Sequence, residues 1–90
     1  MAKKPKPKIT TNTCGPRIKL ARTEKGMNQL ELATALIEDY GLRVDQNSIS
    51  LLEKKLRFLK DFELIALADL LDKSPMWFLY GDKVPQKFKS

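Results

Sequence analysis

The chain has no histidine and a single cysteine, Cys14. Without histidine there is no Ser–His or Cys–His nucleophile pair and no His-containing metal site. One cysteine cannot close an internal disulfide, which fits a reducing, cytoplasmic compartment. Long apolar runs are missing as well. None exceeds five residues, as in Met76–Tyr80, which is too short to span a membrane. The lysines near the N-terminus are followed by no apolar segment, so they do not read as a secretory signal. The eleven carboxylates are scattered among basic residues rather than gathered at Gly-rich loops. These absences argue against an enzyme and imply neither a metal nor a cofactor.

What is present suffices for one small domain with a single modest core: 90 residues, of which 42% are hydrophobic. The net charge of +6 is unevenly placed. Between Pro16 and Gly81 ten Lys/Arg balance ten Asp/Glu, so the presumed folded part is neutral. Lys3, Lys4, Lys6 and Lys8 carry the excess at one end, and Lys83, Lys87 and Lys89, less Asp82, at the other. Within the neutral part, Lys54, Lys55, Arg57 and Lys60 cluster together, whereas Asp61, Glu63, Asp69 and Asp72 lie on the next segment. Such a layout would set one basic edge against phosphates.

The pattern divides the chain into a disordered basic arm (1–15), a folded domain (16–81) and a basic C-terminal tail (82–90). No period-2 strand pattern appears, and the periodicity predicts an all-α fold of five helices. Pro16 suits a first turn, and Gly26 stops helix 1. Asn28 with Glu31 forms a capping box for helix 2, with Met27 and Leu32 as a hydrophobic staple. Leu32, Ala33, Leu36, Ile37 and Tyr40 continue its apolar face up to Gly41. Asp45 caps helix 3, expected to reach about Lys55. Leu56 to Lys60 connect to helix 4, for which Asp61 is the expected cap and Phe62, Ile65, Leu67, Ala68 and Leu71 the apolar residues. Ser74-Pro75 opens the last helix.

Helix 3 is the most informative element. Ile49 and Leu52, three apart, can face a core together. Gln46, Asn47, Ser50 and Leu51 then point the other way, and Lys54 follows one turn later. Side-chain amides at a helix N-terminus suit bidentate pairing with the N6 and N7 edge of adenine in a DNA major groove. The bland alternative is an ordinary solvated helix face.

The order of these signals resembles the helix-turn-helix domain of phage repressors and their bacterial relatives, the Cro/repressor or xenobiotic-response-element family. The resemblance covers about Pro16 to Gly81. It rests on Ile18, Arg22 and Gly26; on Gln29, Leu32 and Ala33; on Ser48, Ile49 and Glu53; and on Ala68, Leu71, Ser74 and Leu79. Asp45 to Glu53 looks especially like the recognition helices of lambdoid phage repressors. One departure stands out: Leu36 to Val44 inserts extra residues where the family has a tight turn, so either helix 2 is longer or the loop bulges.

The resemblance implies a repressor-like helix-turn-helix domain acting as a transcriptional regulator on double-stranded DNA. Gln46, Asn47, Ser50 and Leu51 would face bases, Leu51 through a thymine methyl. Gln29 would contact a phosphate, aided by the helix dipole, against the alternative of a plain first-turn residue. Lys54, Lys55, Arg57 and Lys60 are phosphate candidates as a group, or else a solvated face. Arg22 and Glu53 would form a structural ion pair joining helices 1 and 3. The lysines of the arm could wrap DNA or merely solubilise the chain.

Trp77, Phe78 and Tyr80 cannot all enter a small core, which points to a homodimer interface, although core packing explains some of them. A dimer would read a palindromic operator through adjacent major grooves. In so short a chain, control is expected to come from abundance, a protein partner or proteolysis. The rival reading is a protein-binding module on the same scaffold, such as an antitoxin or antirepressor. Its disadvantage is that the tails offer few apolar residues beyond Val84 and Phe88.

Overall fold

A computed structural model describes residues 11–88. They form α1 (Gly15–Glu24), α2 (Gln29–Tyr40), α3 (Gln46–Glu53), α4 (Asp61–Leu71) and α5 (Pro75–Tyr80), followed by a 3-10 turn at Gln86–Phe88. The fold is all-α, with no strand among the described residues. No described helix is long and apolar enough to cross a membrane. The lysines at positions 3, 4, 6, 8 and 89 lie outside the described residues.

Local signals set most helix boundaries. Asn28 Oδ1 accepts from the Glu31 N–H at 2.8 Å while Glu31 accepts from the Asn28 N–H at 2.9 Å, the reciprocal box that opens α2. Of the residues from Leu36 to Val44, those up to Tyr40 are helical. The helix continues to Tyr40 and stops where Gly41 turns left-handed at φ 67°, a conformation that costs glycine little. The chain then dips back, burying Val44 before Asp45 opens α3. Ser74 accepts from the Trp77 N–H at 3.1 Å to open α5, with Pro75 in its first turn.

Three expectations are corrected. The arm does not extend to residue 15, because Thr11 to Cys14 belong to the fold and Cys14 is buried. Asn12 makes the junction. Its Oδ1 accepts from the N–H groups of Cys14 and Gly15 at 3.0 and 2.9 Å, and its Nδ2 donates to the carbonyls of Leu52 and Arg57 at 3.3 and 2.8 Å. One amide thus satisfies the start of α1 and the end of α3 together. Second, α3 ends at Glu53, with Lys54 as its C-cap and Lys55 left-handed at φ 61°. Third, Lys60 rather than Asp61 is the N-cap of α4. Glu63 reaches back to the Lys60 N–H at 3.0 Å, while Asp61 bonds only its neighbour's N–H.

The core gathers Ile18 and Ala21 of α1, Leu32, Ala33 and Leu36 of α2, Ile49 and Leu52 of α3, Ala66, Leu67 and Leu71 of α4, and Phe78 of α5. Gly15 lets α1 approach α3 closely: a Cβ there would stand 2.6 Å from the Leu52 carbonyl oxygen and 2.7 Å from that of Glu53. Phe78 is 0% exposed, so it is a core residue and cannot serve an interface as expected. Trp77 is partly covered against the core, edge-on to Phe78, and Tyr80 is exposed. Phe62 and Ile65, read as apolar residues of α4, lie on its open side.

Candidate nucleic-acid interface

α3 is only eight residues long, too short to hold itself together in water. Its position comes from its neighbours. Ile49 and Leu52 are fully buried, each contributing about 2 kcal/mol by removal from water. Asp45 accepts from the Ser48 N–H at 2.7 Å and from its hydroxyl at 2.9 Å, while the Asp45 N–H donates to Ser48 Oγ at 3.2 Å. Those donors, the Ser48 backbone N–H first, hold the Asp45 carboxyl below the ordinary carboxylate range.

A buried ion pair fixes the other end. Arg22 of α1 donates Nε to Glu53 Oε2 at 2.7 Å and Nη2 to Oε1 at 3.1 Å. Its Nη1 donates to the Met27 carbonyl at 2.8 Å, so the same guanidinium also pins the turn between α1 and α2. Gln29 Nε2 completes the set, donating to Glu53 Oε1 at 3.0 Å. Every charge in this cluster is matched and hydrogen-bonded, which is what makes burial of both tolerable. Arg22 and Glu53 are thus paired, and Gln29 is tied into them. Gln29 Nε2 has a second proton, and its backbone N–H belongs to the first turn of α2, so donors remain at this helix end.

The residues singled out on α3 converge with α2. Gln46, Asn47 and Ser50 line one groove of about 570 Å³ together with Gln29, Leu30 and Asp45. Gln46 and Asn47 are exposed and Ser50 is partly covered. The N-terminal ends of two helices open into the same groove, and both dipoles favour a negative group there. Leu51 is partly covered and lies outside this set. Leu30, 56% exposed, takes the apolar place in the groove instead. Sequence periodicity hinted at it, since Leu30 is off the core face formed by Leu32, Ala33 and Leu36.

The basic candidates separate. Lys54 and Lys55 are exposed at the end of α3. Arg57 is turned to the buried carboxylate of Glu63, at 3.1 and 3.0 Å, so its guanidinium is committed to that pair. Lys60 Nζ stands 5.7 Å from the centre of the Phe62 ring, on the α4 side. Arg43, not singled out from the sequence, is exposed and shares a hollow with Lys60 and Phe62. Cys14 is fully covered, and burial pushes its thiol above the ordinary value, away from reactivity. Comparison with protein-family models, with curated proteins and with solved structures returned no match.

Proposed function

We propose that the chain is a sequence-specific, double-stranded-DNA-binding regulator of the helix-turn-helix type, with α3 as its recognition helix. The observation that carries this reading is the shared groove: two amides and a hydroxyl on α3 stand beside Gln29 and Leu30 at the start of α2. In this arrangement the α2 N-terminus anchors a phosphate through backbone N–H groups and the Gln29 amide, which sets depth and register. Gln46 and Asn47 then reach base edges, each able to donate to N7 and accept from the N6 amine of one adenine. Ser50 adds a hydroxyl that suits either a donor or an acceptor edge. Leu30 supplies the apolar surface for a thymine methyl. Lys54 and Lys55, at the far end of α3, meet the backbone flanking the site.

The Arg22–Glu53–Gln29 cluster gives the reading its rigidity. Base discrimination requires the amides to be held within a fraction of an ångström, and the cluster ties α1, α2 and α3 into one body. The mechanism that follows is occupancy, with bound protein excluding polymerase from a promoter.

Selection from a randomised duplex library at near-physiological salt tests this directly. An enriched, A·T-containing half-site is expected. Against that site the Gln46→Ala, Asn47→Ala double variant should lose at least about tenfold in affinity, since each amide–adenine pair discriminates by about 1–3 kcal/mol. Undiminished binding by the double variant would remove α3 from base reading. Failure of folded protein to enrich any sequence would overturn the proposal in favour of a protein-binding module.

A further inference from the structure

α4 has a second working side. Its inner face buries Ala66, Leu67, Ala68 and Leu71, yet Phe62 is 54% and Ile65 60% exposed, and Phe58 just before the helix is 69% exposed. Phe62, Ile65 and Asp69 follow one another at intervals of three and four, so they form one stripe along the helix. Phe62 and Ile65 are the apolar part of this stripe, and Asp69 is its charged end.

The charge along the stripe is graded. At its N-terminal end Arg43 and Lys60 border Phe62 in a hollow of about 240 Å³; Glu63 also lines it, but is paired with Arg57. At its C-terminal end Asp69 and Asp72 border Ile65 in a hollow of about 480 Å³. This end is markedly negative. The Tyr40 phenol is pushed up to about 12, chiefly because it donates to Asp69, with the charges of Asp69, Asp39 and Asp72 adding to the effect. Two lysines temper it: Lys25 pairs with Asp72 at 2.7 Å, and Lys73 pairs with Glu24 at 3.1 Å while lying over the Trp77 ring. Asp69 has no lysine or arginine partner among these ion pairs.

We infer that this stripe is a self-association surface, on which α4 of a second copy packs antiparallel about a two-fold axis passing between Phe62 and Ile65. An isologous contact requires a surface complementary to itself, and this one is. Reversal sets each Phe62 against Ile65 of the other copy and brings each Lys60 to Asp69 of the other. A parallel arrangement would set Lys60 on Lys60 and Asp69 on Asp69. The surface differs from the α5 face expected from sequence, where Phe78 has withdrawn into the core. It is independent of the DNA reading, because it concerns the free protein.

Sedimentation equilibrium of the full chain without DNA tests it. The mass should rise with concentration towards twice the 10.3 kDa of the monomer. Ile65→Lys should weaken association at least about tenfold, with its far-UV circular dichroism unchanged because the site is exposed. The sharper test is a charge swap. Lys60→Glu alone places like charges together at both ends of the contact, and so does Asp69→Lys alone. Each should therefore shift the equilibrium towards monomer. An equimolar mixture of these two variants restores both opposite-charge pairs and should dimerise again, as should the double variant K60E/D69K. A wild-type chain that stays monomeric would overturn the inference. So would a dimer indifferent to Ile65→Lys, or a mixture that associates no better than its parts. In each of those cases the stripe belongs to another protein or to none.

Discussion

At the scale of single residues, the decisive groups are those that satisfy several partners at once. Glu53 accepts from Arg22 twice and from Gln29 once, inside the fold. Removing it strands a buried guanidinium and an amide together. Glu53→Ala should therefore cost about 3 kcal/mol and lower Tm by more than about 10 °C in a thermal melt. DNA affinity should fall with it, because α3 loses its tie to α1. Glu53→Gln, which keeps a hydrogen-bonding group of the same size, should fall between the two. A melt unchanged in Glu53→Ala would show that Ile49 and Leu52 suffice to hold α3.

At the scale of elements, the caps separate what can be read locally from what cannot. The box at Asn28–Glu31, the Asp45 cap and the Ser74-Pro75 start are signals contained within a few residues, and α2, α3 and α5 begin where these predict. Asn12 bonds to carbonyls 40 and 45 residues away, and no local pattern announces that. The same limit applies inside α4 and α5. Periodicity identifies their apolar residues, but which aromatic turns inward depends on how each helix is rotated in the bundle. Hence Phe78 is buried while Phe62 is open. In the groove, Gln46, Asn47 and Ser50 follow from helical geometry alone, whereas Leu30 joins them through the way α2 crosses α3.

The α3 cap also predicts a pH response. Asp45 has its carboxyl held below the ordinary range, so its stabilisation is fully present above the unfolded-state value of about 3.9. It is lost as pH falls through the lower folded-state value. Protection of the Ser48 amide, its exchange rate taken relative to the intrinsic rate at each pH, should accordingly fall below about pH 4 in the wild type. Asp45→Asn, uncharged throughout, should show little such dependence. Parallel profiles for the two proteins would assign the acid response elsewhere.

At the scale of the whole molecule, a charge-balanced fold carries its positive excess in the segments on either side. Neutral bodies are a weak source of non-specific attraction to DNA, so the salt dependence of binding should come largely from Lys54, Lys55 and the terminal lysines. Deleting residues 2–8 removes four lysines and should flatten the slope of log affinity against log salt by up to about 3.6 if all four meet phosphates. An unchanged slope would assign those lysines to solubility alone. The compactness that sets α1 against the end of α3 has a hereditary side as well. Every missense change one base away from a glycine codon introduces a side chain with a Cβ. At position 15 that atom has no room beside the Leu52 and Glu53 carbonyls. Only the synonymous neighbours of that codon are therefore neutral, and random mutagenesis followed by selection for folded protein should recover substitutions at exposed Pro16 and none at Gly15.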